Sequence, residues 1–207
     1  MSLVTFIGPR PNLLGLNEQN PPMRLEASQP VLSLEELEQL KSIETLTQNQ
    51  FKSLVIDITY EVDGQDFPSD VMKNKLNDIC EQANQAVKQG FNIIILSDRG
   101  VSQKRQAIPA LLACSATHQY LVKAGNRTNT GLVVDTGYGA EAVCPWLTFE
   151  TINSLTDNFL DAQEKFIKAI GKGLYKVMSK MGISTYQSYC GAQIFEAVGL
   201  NQKFIDQ

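Results

Sequence analysis

The chain has 207 residues, of which 43% are apolar and 19% are charged, and its formal net charge is −4. This balance is typical of a soluble globular protein and excludes an intrinsically disordered chain. The acidic net charge argues against a nucleic-acid-binding surface, and no apolar run approaches the roughly 18 residues of a membrane span. The start of the chain shows no pattern of a secretory signal.

Two regions differ in pattern along the chain. Residues 1–32 contain five prolines, which interrupt any periodic pattern, so they are predicted to form an extended loop segment. Residues 33–207 are predicted to form a single α/β domain. Ser33 and Glu36 make a capping-box sequence, so a helix is expected to begin there.

Strands and helices then alternate. Apolar runs predict strands at 54–58, 91–96 and 132–134, with weaker candidates at 142–144 and 182–185. Helices are predicted at 68–88, 109–125, 145–155 and 157–180, with a last one ending at Gly199. Continuous apolar strands between helices indicate a parallel sheet covered on both faces. A closed barrel of this type needs eight strands, so a barrel-like chain with these few strands would lack part of the barrel. The last third of the chain is predicted to be mostly helical.

Acidic residues follow the three clear strands. Asp57, Asp98 and Asp135 stand where the strands end, and the carboxyl ends of parallel strands commonly hold the chemistry of α/β proteins. These three acids form a candidate polar site for a cation or a substrate amine. The alternative is that they cap loops or pair with Arg99 or Arg127.

A glycine-rich run follows the third strand. Gly137 and Gly139 fit the G-x-G-x-x-A pattern of a dinucleotide-binding turn, in which backbone amides approach a pyrophosphate. The acidic residue expected about 20 residues later, at the end of another strand, is missing. The alternative is a glycine turn that enters the next segment.

The cysteines and the single histidine form no clear metal-binding or catalytic motif in the sequence. The four cysteines, at 80, 114, 144 and 190, are far apart, so free thiols and no metal site are expected. His118 follows Cys114 by one helical turn, which would allow a thiolate–imidazolium pair. The alternative is a packed histidine with one hydrogen bond.

The helix at 157–180 has two contrasting faces. Its core stripe is predicted to contain Phe166, Ile170, Leu174, Val177 and Met181. A basic stripe contains Lys165, Lys168, Lys172, Lys176 and Lys180, which predicts either a solvated face or a contact with an anionic partner. Gly171 and Gly173 weaken a helix, so they predict a close contact or a kink.

Several long motifs, taken together and in order, resemble one known family. They are ILSDRG at 95–100, IPALLA at 108–113, GYGA at 137–140, KMGISTYQSY at 180–189 and GAQIFEA at 191–197. This order resembles the central domain of the glutamate synthase large chain, over nearly the whole sequence. The run AVCP at 142–145 is similar to the ferredoxin-dependent branch of that family.

The resemblance implies a function for the whole enzyme. Glutamate synthase forms glutamate from glutamine and 2-oxoglutarate with electrons from ferredoxin or a nicotinamide cofactor. The implied partners are a glutamine amidotransferase domain and an FMN-binding domain with an iron–sulfur cluster, and ferredoxin through them. The central domain connects them and helps to form the ammonia route, and its structure is related to a degenerate β/α barrel. The expected fold class is therefore an incomplete, degenerate β/α-barrel-like domain with parallel strands and a helical C-terminal third. The implied location is the cytoplasm, or the plastid stroma in a photosynthetic eukaryote.

The sequence lacks the catalytic and cofactor-binding features that the whole enzyme of this family has. Met1-Ser2-Leu3 resembles an internal position and not a processed N-terminal cysteine, and neither clustered cysteines nor an FMN barrel is visible. No cofactor is therefore expected in this chain, no catalytic residue is assigned, and the isolated chain is expected to be non-catalytic. Two alternatives stay open: a stand-alone small-ligand-binding module, and a non-functional remnant.

One deletion has a structural consequence. Family members carry about a dozen more residues between Thr136 and Gly137, and a parallel crossover needs roughly 10–12 residues. We therefore expect that the segment 142–144 does not pair in parallel beside the strand at 132–134.

Overall fold

A computed structural model describes residues 1–11, 22–62, 69–134 and 140–192. The strands within these ranges are β1 (Thr5–Ile7), β2 (Leu25–Ala27), β3 (Ser53–Asp57), β4 (Thr59–Glu61), β5 (Ile93–Ser97), β6 (Arg105–Ala107), β7 (Gly131–Val134) and β8 (Ala142–Val143). The helices are α1 (Leu34–Lys41), α2 (Ile43–Leu46), α3 (Ser69–Lys88), α4 (Ala110–Lys123), α5 (Trp146–Leu155), α6 (Phe159–Met181) and α7 (Tyr186–Cys190). Among these helices, none combines the length and the apolar character that crossing a bilayer requires.

A four-stranded parallel sheet in the order β3-β5-β7-β8 forms the centre of the fold. Ile94 and Leu96 of β5 pack on one side with residues of α3 and α4. Ile93 and Ile95 pack on the other side with residues of α1, α5 and α6. The predicted parallel sheet with two covered faces is confirmed. No closed barrel forms from the described strands, in agreement with a degenerate barrel-like class.

The expectation for the segment 142–144 is wrong, because β8 pairs in parallel with β7. The crossover rule assumes that the chain returns along a full strand. Here only two residue pairs form, Val133 with Ala142 and Val134 with Val143. The return path is therefore only about two strand residues long, roughly 7 Å, and residues 135–141 have ample length to cover it.

Residues before the domain boundary predicted at 33 also take part in the fold. β1 and β2 form an antiparallel ribbon, and Ile7 lies in the core beneath the sheet. Val31 forms a parallel bridge with Val143, where the Leu32 amide donates to the Val143 carbonyl at 2.7 Å and the Val143 amide donates to the Pro30 carbonyl at 2.8 Å. β8 is thus held from both sides.

Local sequence signals set several boundaries. The capping box is present: the Ser33 hydroxyl accepts from the Glu36 amide, and the Glu36 carboxylate accepts from the Ser33 amide. Of the weak strand candidate at 182–185, only Thr185 pairs, in a single bridge with Ser2. The helix predicted to end at Gly199 is represented by α7, and residues beyond 192 lie outside the described ranges.

The predicted core stripe of α6 is partly wrong. Its buried positions include Ile167, Gly171 and Met178, whereas Ile170 and Val177 are 39% and 42% exposed. The helix is rotated so that Gly171 faces inward, where a Cβ would lie 3.3 Å from the Leu3 side chain. Gly171 therefore marks a close contact, and α6 continues through it without a break.

Gly131 provides a stability test because the chain at the end of β1 passes close to β7 at this residue. A Cβ at Gly131 would lie 2.5 Å from the Gly8 amide nitrogen and 3.0 Å from Ile7 Cγ2. Backbone cannot move aside cheaply, so Gly131→Ala is expected to lower the free energy of unfolding by about 1–3 kcal/mol. Urea unfolding of the purified chain measures this.

Gly173→Ala is the matched control for that substitution. Nothing lies within 4 Å of a Cβ at Gly173, and alanine favours helix over glycine by about 1 kcal/mol. This variant should unfold at higher urea concentration than the wild type. Equal effects of the two substitutions would contradict the close approach of β1 to β7.

Candidate functional site

Asp57 stands at the carboxyl end of β3 and is engaged by its own chain. Its Oδ1 accepts from the Thr59 amide at 2.8 Å, and its Oδ2 accepts from Arg105 Nη2 at 2.7 Å. Arg105 also donates from Nε to Thr59 Oγ1 at 2.9 Å. A Cβ at Gly100 would lie 3.2 Å from both carboxylate oxygens, so the turn after β5 packs directly on Asp57.

Asp98 lies at the end of the neighbouring strand β5, and its carboxylate faces another element. Trp146 Nε1, at the start of α5, donates to Asp98 Oδ1 at 2.6 Å. Arg99 stacks over the Trp146 ring at 5.7 Å and pairs with Glu38 of α1 at 3.2 Å. The Val101 amide donates to the Asp98 carbonyl at 3.1 Å, which closes a turn directly after β5.

The sheet brings two of the three predicted strand-end acids to one edge. Asp57 is paired with Arg105 and not with Arg99 or Arg127. Asp98 is bonded to Trp146. Asp135, Gly137 and Gly139 lie outside the described residues. The contacts of Asp57 and Asp98 hold the segments after β3 and β5 at the sheet edge. A ligand role for the three acids stays a prediction.

A buried ion pair at the other end of β7 is the most polar feature of the described core. Arg127 Nη2 and Glu141 Oε1 lie 2.7 Å apart, with side chains that are 7% and 8% exposed. Arg127 Nη1 donates to the Thr130 carbonyl at 2.8 Å. Glu141 Oε2 accepts from the Leu132 amide at 2.6 Å. Both charged groups therefore have the hydrogen bonds that burial demands.

Glu141 also connects this pair to the N-terminal ribbon. Arg10 Nη2 donates to Glu141 Oε1 at 3.2 Å, from a side chain that is 52% exposed. Thr5 Oγ1 donates to the Glu141 carbonyl at 2.8 Å. The Arg10 amide donates to the Thr128 carbonyl at 2.7 Å. Glu141 thus joins β1, β7 and the turn at Arg127–Asn129.

His118 and Cys114 do not form a catalytic pair. His118 Nδ1 accepts from Arg127 Nε at 2.9 Å, so its free electron pair is already used. Burial, and then the Arg127 charge, lower the pKa of His118. Burial raises the pKa of Cys114 to about 12, so the thiol stays protonated. The interpretation of His118 as a packed histidine with one hydrogen bond agrees with these contacts.

The thiols do not fit a cluster of the iron–sulfur kind. Cys80, Cys114 and Cys144 are buried, Cys190 is exposed, and none of these four described residues forms a disulfide bond. They lie in α3, in α4, directly after β8 and in α7. Within the described ranges, no group of three or more histidine, cysteine or acidic side chains is placed to hold a metal ion.

Sequence reasoning missed the Arg127–Glu141 pair. Arg127 stands in a turn and Glu141 beside the glycine-rich run, and neither position has a periodic pattern. A buried ion pair depends on how distant segments meet, so no local spacing predicts it. The one available signal was an isolated acid next to an apolar segment.

Comparison with known proteins gives one consistent result. Residues 1–201 match the family model of the glutamate synthase central domain. The chain is 38% identical to the ferredoxin-dependent chloroplastic glutamate synthase of Spinacia oleracea and 38% identical to the NADH glutamate synthase of Schizosaccharomyces pombe. It is 37% identical to the NADPH glutamate synthase large chain of Bacillus subtilis.

These matches cover the whole chain but only part of each relative. The chain spans 14%, 11% and 14% of the lengths of the three relatives. The match to the spinach protein extends over 237 residues, more than the 207 of the chain. That relative therefore holds residues in this region that the chain lacks, and their position between Thr136 and Gly137 stays a prediction.

The buried pair can be tested by a double-mutant cycle. Glu141→Gln keeps an acceptor for the Leu132 amide but leaves the Arg127 charge uncompensated, so a loss of about 3 kcal/mol in unfolding free energy is expected. Arg127→Met in the same chain removes that charge and should restore at least half of the loss. Additive losses in urea unfolding would show that the two charges do not interact.

His118 predicts a pH dependence of stability. Its pKa is lower in the folded chain than the usual 6.5, so the unfolded chain binds the proton more readily. Stability is complete above about pH 6.5 and falls as the pH drops through the folded-state pKa. His118→Gln can still accept from Arg127 but does not titrate. Its unfolding free energy should change less than that of the wild type between pH 7 and pH 5.

Proposed function

The chain belongs to the glutamate synthase central domain family, and on that premise we propose that it acts as the connecting domain of such an enzyme. In this role it holds the ammonia-releasing and flavin-containing parts in register and contributes to the route between them. The enzyme as a whole would form glutamate from glutamine and 2-oxoglutarate. The observation that carries this proposal is the family match over residues 1–201.

The contacts of the candidate site support a structural role. Asp57 is held by Arg105 and Asp98 by Trp146, so both acids already serve the architecture of the sheet edge. The buried Glu141 is likewise saturated with donors from its own chain. A catalytic assignment needs a group placed beside a nucleophile, a base or a substrate position, whereas the contacts given above for these side chains are with structural partners. We therefore assign no catalytic residue among these side chains.

The cofactors of the whole enzyme are proposed to be bound elsewhere. Iron–sulfur clusters need several thiolates close together, whereas the thiols here stand in separate elements and the pKa of Cys114 is raised. We assign FMN and the cluster to another part of the enzyme.

The proposed partners are the glutamine amidotransferase domain and the FMN-binding domain. Ferredoxin is a further proposed partner, since the spinach relative is named ferredoxin-dependent, and it would act on this chain through those two domains. The proposed location is the cytoplasm, or the plastid stroma where the organism is a photosynthetic eukaryote, since several plant relatives are named chloroplastic.

The isolated chain is expected to be inactive. Purified chain incubated with glutamine should release no ammonia, and with glutamine, 2-oxoglutarate and reduced ferredoxin or NADPH it should form no glutamate. Either product above the level of a heat-treated sample would contradict the assignment of this chain as a non-catalytic connector.

Replacement inside a relative tests the connecting role. The segment of the Bacillus subtilis large chain that matches this chain would be exchanged for residues 1–207, and glutamate formation measured with NADPH. The exchanged enzyme should retain activity well above a variant in which the segment is deleted. The control inserts the same chain with Gly131→Ala, whose weakened fold should lower activity. No activity above the deletion variant would overturn the proposed function.

A further inference from the structure

The exposed face of α6 carries a concentration of positive charge in an acidic chain. Between Lys165 and Ala192 the sequence contains five lysines, no arginine and no acidic residue, and all five lysines are exposed. Lys165 and Lys168 pair with acids at the start of the helix. Lys172, Lys176 and Lys180 form no ion pair with any described residue.

An apolar strip lies beside these lysines. Ile170 and Val177 are separated by about two helical turns and therefore lie on one face of α6. They are 39% and 42% exposed. Gly173 lies between them on the same face, and Lys176 and Lys180 border it at spacings of three residues. The strip is thus apolar at its centre and basic along one side.

Gly173 is not explained by the fold of the described chain. It is exposed in a helix interior, where glycine is less favourable than alanine, and nothing lies within 4 Å of its Cβ position. Gly171, two residues earlier, packs against Leu3. A glycine between two exposed apolar side chains allows a second molecule to approach the helix backbone closely.

We propose that this strip, formed by Ile170, Gly173 and Val177 with Lys172, Lys176 and Lys180 beside it, is a docking surface for a protein segment that is apolar at its centre and acidic at its rim. The inference rests on the proposed function, because it places that segment on another part of the same glutamate synthase. Charge complementarity of this kind orients partners and suppresses wrong ones.

Two other occupants fit the charges less well. A second copy meeting the strip through two-fold symmetry would bring lysines of α6 towards lysines of its partner, which is unfavourable. A lipid surface requires a broad exposed apolar face, whereas Ile167 and Met178 of α6 are buried in the fold. A protein segment with an apolar centre and an acidic rim can pack on the narrow apolar strip and pair with the lysines that border it.

The test uses the chain exchanged into the Bacillus subtilis large chain and measures amide hydrogen exchange of α6. Docking should slow the exchange of α6 amides relative to the isolated chain. The variant K172E/K176E/K180E should lose this additional protection and lower glutamate formation by about tenfold, since three favourable rim contacts become repulsive. The control K73E/K104E/K123E has the same charge change at exposed lysines on other elements and should behave as the unaltered chain.

Gly173→Ala separates docking from folding. It should raise the melting temperature of the isolated chain and yet reduce the protection of α6 in the exchanged enzyme. Retained protection in both Gly173→Ala and K172E/K176E/K180E would overturn the docking surface, although the connecting role would stand if the exchanged enzyme still forms glutamate.

The remaining outcomes also decide the proposal. An exchanged enzyme with neither glutamate formation nor slowed exchange in α6 would overturn the docking surface and the connecting role together. Binding of the isolated chain to phosphatidylserine–phosphatidylcholine vesicles, abolished by K172E/K176E/K180E and not by the control, would assign the strip to a membrane and overturn the protein partner. Concentration-dependent dimerisation abolished by the same variant would overturn it in favour of a second copy.

Discussion

The buried carboxylate of Glu141 is the constraint around which the fold of this central domain is organised. A charged group removed from water costs several kcal/mol unless it is paired and hydrogen-bonded. Glu141 meets this cost through Arg127 and the Leu132 amide. Its backbone amide also donates to the Leu132 carbonyl at 2.9 Å. The side chain thus takes the place of a strand carbonyl where β8 has not yet begun.

Because the Glu141 side chain stands in for a strand carbonyl, the short strand β8 can keep its register. Two residue pairs supply little pairing energy, and a slip by one residue would turn Ala142 away from the core. The carboxylate on the Leu132 amide and the bridge from Val31 to Val143 fix the position from both sides. The Arg99–Trp146–Asp98 cluster then attaches α5 to the opposite end of the sheet.

The sequence predicts the parts of the fold that depend on local chemistry. The capping box at Ser33 and the apolar run of β5 are such cases, because each requires only nearby residues. The prediction for the pairing of β8 is wrong because the crossover rule assumes a connection that returns along a full-length strand, whereas β8 is only two residues long. The rotation of α6 and the Arg127–Glu141 pair were not visible, because both depend on segments that meet only in the folded chain. Of the candidate site, only the placement of Asp57 and Asp98 at one sheet edge follows from the strand pattern of the sequence.

The bridge between Val31 and Val143, together with the Thr5–Glu141 bond across 136 residues, has a consequence for biosynthesis. During translation the N-terminal ribbon leaves the ribosome well before its binding site has been made. The strands β3, β5 and β7 can assemble in order as they emerge, whereas the contacts of Thr5 and Val31 form only once Glu141 and Val143 have been made. Contacts of such sequence separation form slowly, so apolar residues of the ribbon stay accessible to chaperones and proteases until these partner segments have been made. The ribbon is made before the other elements of this domain, yet it gains its full set of contacts only after Glu141 and Val143 have been made.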